Sequence, residues 1–160
     1  MDLDKIRKIE DYHSDKILKL VKKENVDILI AKCSRAVVDL NRSRKSVDKD
    51  MFNGTVIIGQ PDEKKMISYG LGVFPRFISN KSIFKKKLPL SYSKKMLEEY
   101  YDPFHKSLSN QLEFLLNKFG FCYHFDIHTM PSIALKHFKL KPDMVLGNNF
   151  GKSSSENLIS

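Results

Sequence analysis

At 160 residues, with 41% hydrophobic and 29% charged side chains, the chain has ordinary globular composition and room for one domain with a buried core, read as spanning residues 1–160. No apolar run approaches the roughly 20 residues that cross a bilayer, and the start Met-Asp-Leu-Asp-Lys-Ile has no signal-like apolar stretch, so a cytoplasmic chain with no membrane partner is expected. The net charge of +9 invites a nucleic-acid partner, but only five of the 28 basic residues are arginine and the lysines are scattered without a basic stripe, so nucleic-acid binding is set aside.

In chain order, Ile6, Ile9, His13, Ile17, Leu20 and Val21 recur at spacings of three and four, which predicts an amphipathic helix over residues 4–24. A short buried strand is expected over 26–32. A β-rich run, Ala36-Val37-Val38-Asp39-Leu40, then ends at the polar turn Asn41-Arg42-Ser43-Arg44. Weaker strand candidates fall at 55–58 and 66–69, on either side of the turn Gln60-Pro61-Asp62-Glu63. Gly70-Leu71-Gly72-Val73-Phe74-Pro75-Arg76 reads as a loop that delivers an arginine, and Lys85-Lys86-Lys87 as a solvated loop.

The strongest helix signal covers 91–119, where Leu97, Tyr101, Phe104, Leu108, Leu112, Leu115 and Phe119 share a face, Ser91 or Ser93 offers a cap and Gly120 a stop. Pro103 predicts a kink or break near Tyr101 and Asp102, because proline lacks the N–H and its ring meets the preceding turn. Such a break would turn Tyr100 or Tyr101 and His105 toward a site; core-facing aromatics are the competing reading. The run 121–127 is aromatic and apolar and predicts a core strand that delivers His128 to a loop. Cys33 and Cys122 lie in apolar runs without metal-like spacing, so reduced thiols are expected.

Three groups of residues carry chemistry. In Asp126-Ile127-His128 a carboxylate two residues before an imidazole can orient it for a metal, and a lone histidine in a turn fits these residues equally. His124 alternates with both and shares their face if the segment is extended. Arg76 offers a planar fork suited to a carboxylate, or is simply a surface arginine after a turn.

The order Ile-Glu-Asp-Tyr-His (9–13), Val-Asp-Leu-Asn-Arg (38–42), Gly-Leu-Gly-Val-Phe-Pro-Arg (70–76), Lys-Leu-Pro-Leu (87–90), Tyr-Tyr-Asp-Pro-Phe-His (100–105), Asp-Ile-His-Thr-Met-Pro (126–131) and Asp-Met-Val-Leu-Gly (143–147) resembles the N-formylglutamate amidohydrolase family over almost the whole chain. The resemblance implies an α/β fold with a central mixed sheet flanked by helices, like that of the zinc carboxypeptidases and aspartoacylases, here incomplete at both ends. It implies zinc as cofactor in the intact family, where N-formyl-L-glutamate is hydrolysed to formate and glutamate. By the same resemblance His128 matches a zinc ligand, with Asp126 behind it. Asn41 and Arg42 match the pair that grips a substrate carboxylate. Arg76 and His105 match patterned positions expected to touch substrate or transition state.

The resemblance also leaves gaps. The family's Pro-His-Ser-Gly segment, with its first metal ligands, and a late Gln-x-Glu-like strand, with its general base, have no counterpart here, and 147–151 departs from the usual Gly-Asp-Arg-x-Gly. The expectation is a truncated or split form that binds no zinc and has no activity alone, with a complementing fragment as possible partner. The alternative is a non-catalytic module that binds an acidic metabolite or a partner's carboxylates.

Overall fold

Phe52 and Phe74, each about 1% exposed, meet edge to face with ring centroids 5.4 Å apart, and the core of the first unit is assembled around them. In this computed structural model the described residues are 6–21, 26–54, 66–78, 81–130, 132, 139 and 142–158. The chain divides into two compact units, Met1–Thr129 and Met130–Ser160. Val38, Val47, Met51, Val73, Met96, Leu97 and Tyr101 complete the main cluster, so residues distant in sequence share one interior. A smaller cluster joins Ile6, Ala36 and Ile78.

The architecture is mixed α/β. Strand β1, Phe52–Asn53, pairs in parallel with β4, Leu88–Pro89, while β2, Phe77–Ile78, pairs antiparallel with β3, Lys81–Ser82. Backbone rungs outside the strands hold the centre: the Val73 N–H donates to the Ser46 carbonyl at 2.8 Å and the Asp39 N–H to the Val73 carbonyl at 2.7 Å. Gly72 permits that approach, because a Cβ there would collide with the Ser46 carbonyl oxygen.

A helical run starts at Leu90, and its three parts differ in winding. After α2, Leu90–Met96, comes a π-helical turn, Leu97–Tyr101, and then α3, Asp102–Phe119. The disruption falls where Pro103 predicted it, as a widened turn and not a break. Gly120 ends α3 with φ +77°, its N–H donating to the Leu116 carbonyl at 2.8 Å, as the sequence implied. Neither Ser91 nor Ser93 caps the start. Pro89 is the N-cap and Ser93 Oγ donates back to the Leu90 carbonyl at 2.8 Å.

Where α3 begins, Arg44 Nε and Nη2 donate to Asp102 Oδ1 and Oδ2 at 2.7 and 3.0 Å. The hydrogen bond from Arg44 holds the Asp102 carboxyl below its ordinary value of 3.8, against a smaller opposing effect of burial. A lowered folded value means that the stabilisation is fully present above the ordinary value and is lost as pH falls through the folded one. The two side chains are half exposed, so Arg44→Ala is expected to cost only about 0.2–1 kcal/mol at neutral pH. Urea denaturation should show that difference vanishing in strong acid.

Several expected elements take another form. The helix over 4–24 is interrupted: a 3-10 turn, Arg7–Ile9, and a short helix α1, Ser14–Lys19, flank a bend at 10–13 where His13 has φ +69°. Long-range bonds to Asp11 pull the bend out of the helix, and Leu20, on the expected inner face, is 85% exposed. Residues 26–32 and 121–127 form no ladder. Strand composition needs a neighbouring edge to bond to, and no other described segment supplies one. Val26, Leu29, Ile30, Phe121, Tyr123 and Phe125 are therefore exposed instead of buried.

The apolar run at 36–40 is buried as expected at Ala36 and Val38 but forms a turn, because Val37 and Val38 donate back to the Ser34 carbonyl at 2.9 and 3.3 Å. Residues 66–69 form a helical turn where a strand was expected, with the Gly70 N–H donating to the Ile67 carbonyl at 2.8 Å. The expected strand at 55–58 and turn at 60–63 lie outside the described residues. Both cysteines are free and half-buried. In the second unit, Asn149, Phe150 and Gly151 all have positive φ, and Phe150 is fully solvated. Among the described residues no helix is long and apolar enough to cross a membrane.

Candidate functional site

The turn at 34–42 shapes the site from its backbone outward. Ser34 Oγ accepts the Ala36 N–H at 3.2 Å and donates to Glu10 Oε1 at 2.6 Å, which ties this turn to the bend at 10–13. Asp39 is 5% exposed, and its Oδ1 accepts the Asn41 N–H at 3.0 Å, an arrangement in which a short carboxylate closes the turn that presents the next side chains. Its Oδ2 lies 3.4 Å from Arg35 Nε and 3.7 Å from Arg42 Nε. One buried carboxylate thus balances two guanidinium groups.

Asp11, Arg35, Asn41, Asp126 and His128 converge beside it. Arg35 Nη2 lies 2.7 Å from Asp11 Oδ2, and the same oxygen is 3.0 Å from His128 Nδ1. The other ring nitrogen, Nε2, is 2.9 Å from Asp126 Oδ2 and 2.9 Å from Asn41 Nδ2. Thr129 locks the segment by donating its N–H to Asp11 Oδ1 at 3.1 Å and its hydroxyl to the Tyr12 carbonyl at 2.9 Å. The ring therefore has a partner for each of its protonation states. Charged, it donates to both carboxylates; neutral, its bare nitrogen can accept from Asn41 or Arg35. Burial lowers the imidazole, but the hydrogen bonds and charges of Asp11 and Asp126 outweigh it, and the group is held above its ordinary 6.5.

Asn41, Asp126 and His128, singled out in the sequence, meet directly. Arg42 lies one residue from Asn41, and its buried Nε has no hydrogen-bond partner among the described residues. Arg76 is elsewhere engaged: its Nη1 donates to the buried Asp48 Oδ2 at 2.9 Å and lies 3.7 Å from Asp50, and no bond joins it to the His128 cluster among the described residues. His105 Nε2 faces the Leu40 carbonyl at 2.9 Å, and His124 is exposed. Tyr101, the more buried of the two tyrosines, donates to the Arg42 carbonyl at 2.7 Å.

Sequence reasoning passed over Asp11, Arg35 and Asp39 as site residues. Arg35 and Asp39 carry a faint signal, opposite charges four apart in an apolar run; Asp11 is hidden in helical spacing. As a metal centre the donor set falls short, since zinc needs three protein ligands around an open position. Among the described residues no three His, Cys, Asp or Glu side chains converge in that way. Asp11 and Asp126 sit on opposite nitrogens of one ring, so a cation held by one of these nitrogens would meet only one of the two carboxylates.

Comparisons with known proteins agree on an ancestry. The chain is 28% identical over 149 residues to an N-formylglutamate deformylase of Pseudomonas putida and 26% identical over 146 residues to that of Pseudomonas aeruginosa PAO1. Each match takes in 89% of this chain and 49% of the relative, so the chain spans about half the length of these curated relatives. The crystal structure of N-formylglutamate amidohydrolase from Ralstonia eutropha JMP134 superposes with a TM-score of 0.82 at 22% identity, over 99% of this chain and 59% of that one, and so shares its fold. The family model described as N-formylglutamate amidohydrolase matches residues 1–160, and the chain belongs to that family.

Proposed function

We propose that this chain carries the carboxylate-gripping and imidazole part of an N-formylglutamate amidohydrolase centre, and that alone it binds an acidic ligand of the N-formylglutamate kind without hydrolysing it. The observation that carries this reading is the meeting of Asn41 with His128 at 2.9 Å, which brings the turn after Asp39 onto the Asp126-x-His128 segment. Arg42, next to Asn41, supplies a guanidinium that is only 3.7 Å from a counter-charge shared with Arg35. A ligand carboxylate can take that guanidinium in a planar two-point contact, and the Asn41 amide adds a donor.

Zinc in the intact family would polarise the formyl carbonyl and acidify water. The described donors do not fit a closed zinc site, so no step here passes through the metal, and the chain alone is proposed to hold none. What its own residues do is bind and orient. Arg42 and Asn41 hold carboxylate, Asp11 and Asp126 fix the imidazole ring, and Arg35 holds Asp11 in place. Arg76, committed to Asp48, contributes at most to the edge of such a pocket. The unpartnered Arg42 Nε favours the alternative in which binding is the whole function, in a module for an acidic metabolite.

Ligand-dependent melting tests the proposal. At ten times its dissociation constant, glutamate or N-formylglutamate should stabilise by about 1.4 kcal/mol, which is roughly 3–5 °C for a chain of this size. Added salt should shrink the shift. Arg42→Lys should remove most of it, since a point charge cannot reproduce a two-pronged contact. An unshifted melt at tens of millimolar ligand would defeat both forms of the reading.

A further inference from the structure

We propose that Tyr101, Asp102 and His105 are positioning residues: together they clamp the loop Leu40–Arg44 and so fix where Asn41 and Arg42 point. The inference rests on the proposed role of Asn41 and Arg42 in holding a carboxylate. It assigns the helix a job of its own, and it moves His105 from a group that touches substrate to one that acts through the loop.

Three successive contacts make the clamp. Tyr101 Oη donates to the Arg42 carbonyl at 2.7 Å, His105 Nε2 lies 2.9 Å from the Leu40 carbonyl, and Asp102 takes both prongs of Arg44 at 2.7 and 3.0 Å. A carbonyl oxygen only accepts, so His105 must carry its proton on Nε2. Tyr101 and His105 are four residues apart, hence neighbours on one helix face, and their rings lie 4.2 Å apart, so each limits the motion of the other. The opposite polar side of the loop is already used: the Arg42 N–H donates to the Asp39 carbonyl at 3.2 Å and the Asn41 N–H to Asp39 Oδ1 at 3.0 Å. With donors bonded to Asp39 and carbonyls bonded to the helix, the backbone of this loop has little freedom left. Tyr101 is 8% exposed, which makes its bond costly to lose.

Amide exchange and ligand titration by NMR, on the full chain, decide the matter. Tyr101→Phe removes one hydroxyl and keeps the ring. It should speed exchange at Asn41, Arg42 and Arg44 about five- to tenfold relative to the core amides of Met51 and Val73, and weaken L-glutamate by a similar factor. His105→Leu should act likewise, and His105→Gln, which can again donate to the Leu40 carbonyl, should recover part of the loss. Loop and core amides that accelerate in parallel, or a loop that does not change, would overturn the clamp, because a purely structural role predicts the first and no role the second. Wild-type chain that takes up no glutamate would defeat the carboxylate reading alone, and the exchange rates would still decide the clamp.

Discussion

Formate release from N-formyl-L-glutamate by the purified chain is expected to stay at the uncatalysed rate, with or without added zinc or cobalt. Hydrolysing a formamide at neutral pH requires water made nucleophilic and a base within hydrogen-bond reach of it. His128 is the residue best placed for such work, yet both its nitrogens are engaged, by Asp11 and Asp126 at 3.0 and 2.9 Å. In the role proposed for them, Arg42 and Asn41 orient a substrate but generate no nucleophile. The difference at stake is large, since enzymes of ordinary power accelerate such reactions by about a millionfold or more. The same donor shortage implies that chain dialysed against micromolar zinc keeps well under one equivalent. Stoichiometric zinc and metal-dependent turnover, both lost in His128→Ala, would show that Asp11, His105, His124 or Asp126 can be recruited as ligands.

Phe74→Ala should be the most damaging single substitution in the core, with a loss of about 3–5 kcal/mol. Phe74 is 1% exposed, sits edge-on to Phe52 and lies 6.4 Å from the ring of Tyr92, so truncation leaves a void that three separate chain segments would have to close together. Its neighbour Val73 carries the backbone rungs to Ser46 and Asp39, which limits how far that segment can relax. A domain with about 5–15 kcal/mol in hand loses a large share of its stability, and the melting midpoint should fall by roughly 6–20 °C. Denaturation in urea at constant slope gives the number directly. A loss below about 1 kcal/mol would mean that the aromatic cluster contributes far less than its burial implies. Because Asp39 closes the turn that holds Asn41, the same variant should also lose the proposed glutamate binding near its lowered midpoint.

What the sequence made legible depended on whether the cause was local. The helix Asp102–Phe119 and its stop at Gly120 could be read because apolar spacing and a left-handed glycine act within a few residues. The disturbance before Pro103 was legible for the same reason, although a missing N–H does not say whether a helix breaks or widens. Strands were not legible. The runs at 26–32 and 121–127 have strand composition, but a ladder needs a second edge, and pairing is a property of two segments.

The site divides along the same line. Asn41, Arg42, Asp126 and His128 stood out by side-chain type beside turns. Asp11 did not, because what extracts it from a helix is a bond to His128 across 117 positions. Arg76 and His105 were polar in suggestive places, and their partners, Asp48 and the Leu40 carbonyl, lie 28 and 65 positions away. Residue type gave no hint of either partner.

The π-turn at Leu97–Tyr101 gives the chain one place where a residue can be lost with little disturbance. A turn of this kind holds one residue more than an α-helical turn. Removing a single residue between Leu97 and Tyr101 would restore regular winding and leave the helix after it facing nearly as before, whereas removing one from Leu90–Met96, where no spare residue is held, would rotate everything after it by about 100°. In the second case Tyr101 and His105 would swing away from the carbonyls of Arg42 and Leu40. The loss of one position thus has opposite outcomes a turn apart, and a relative one residue shorter at the π-turn would still present its loop in the same way.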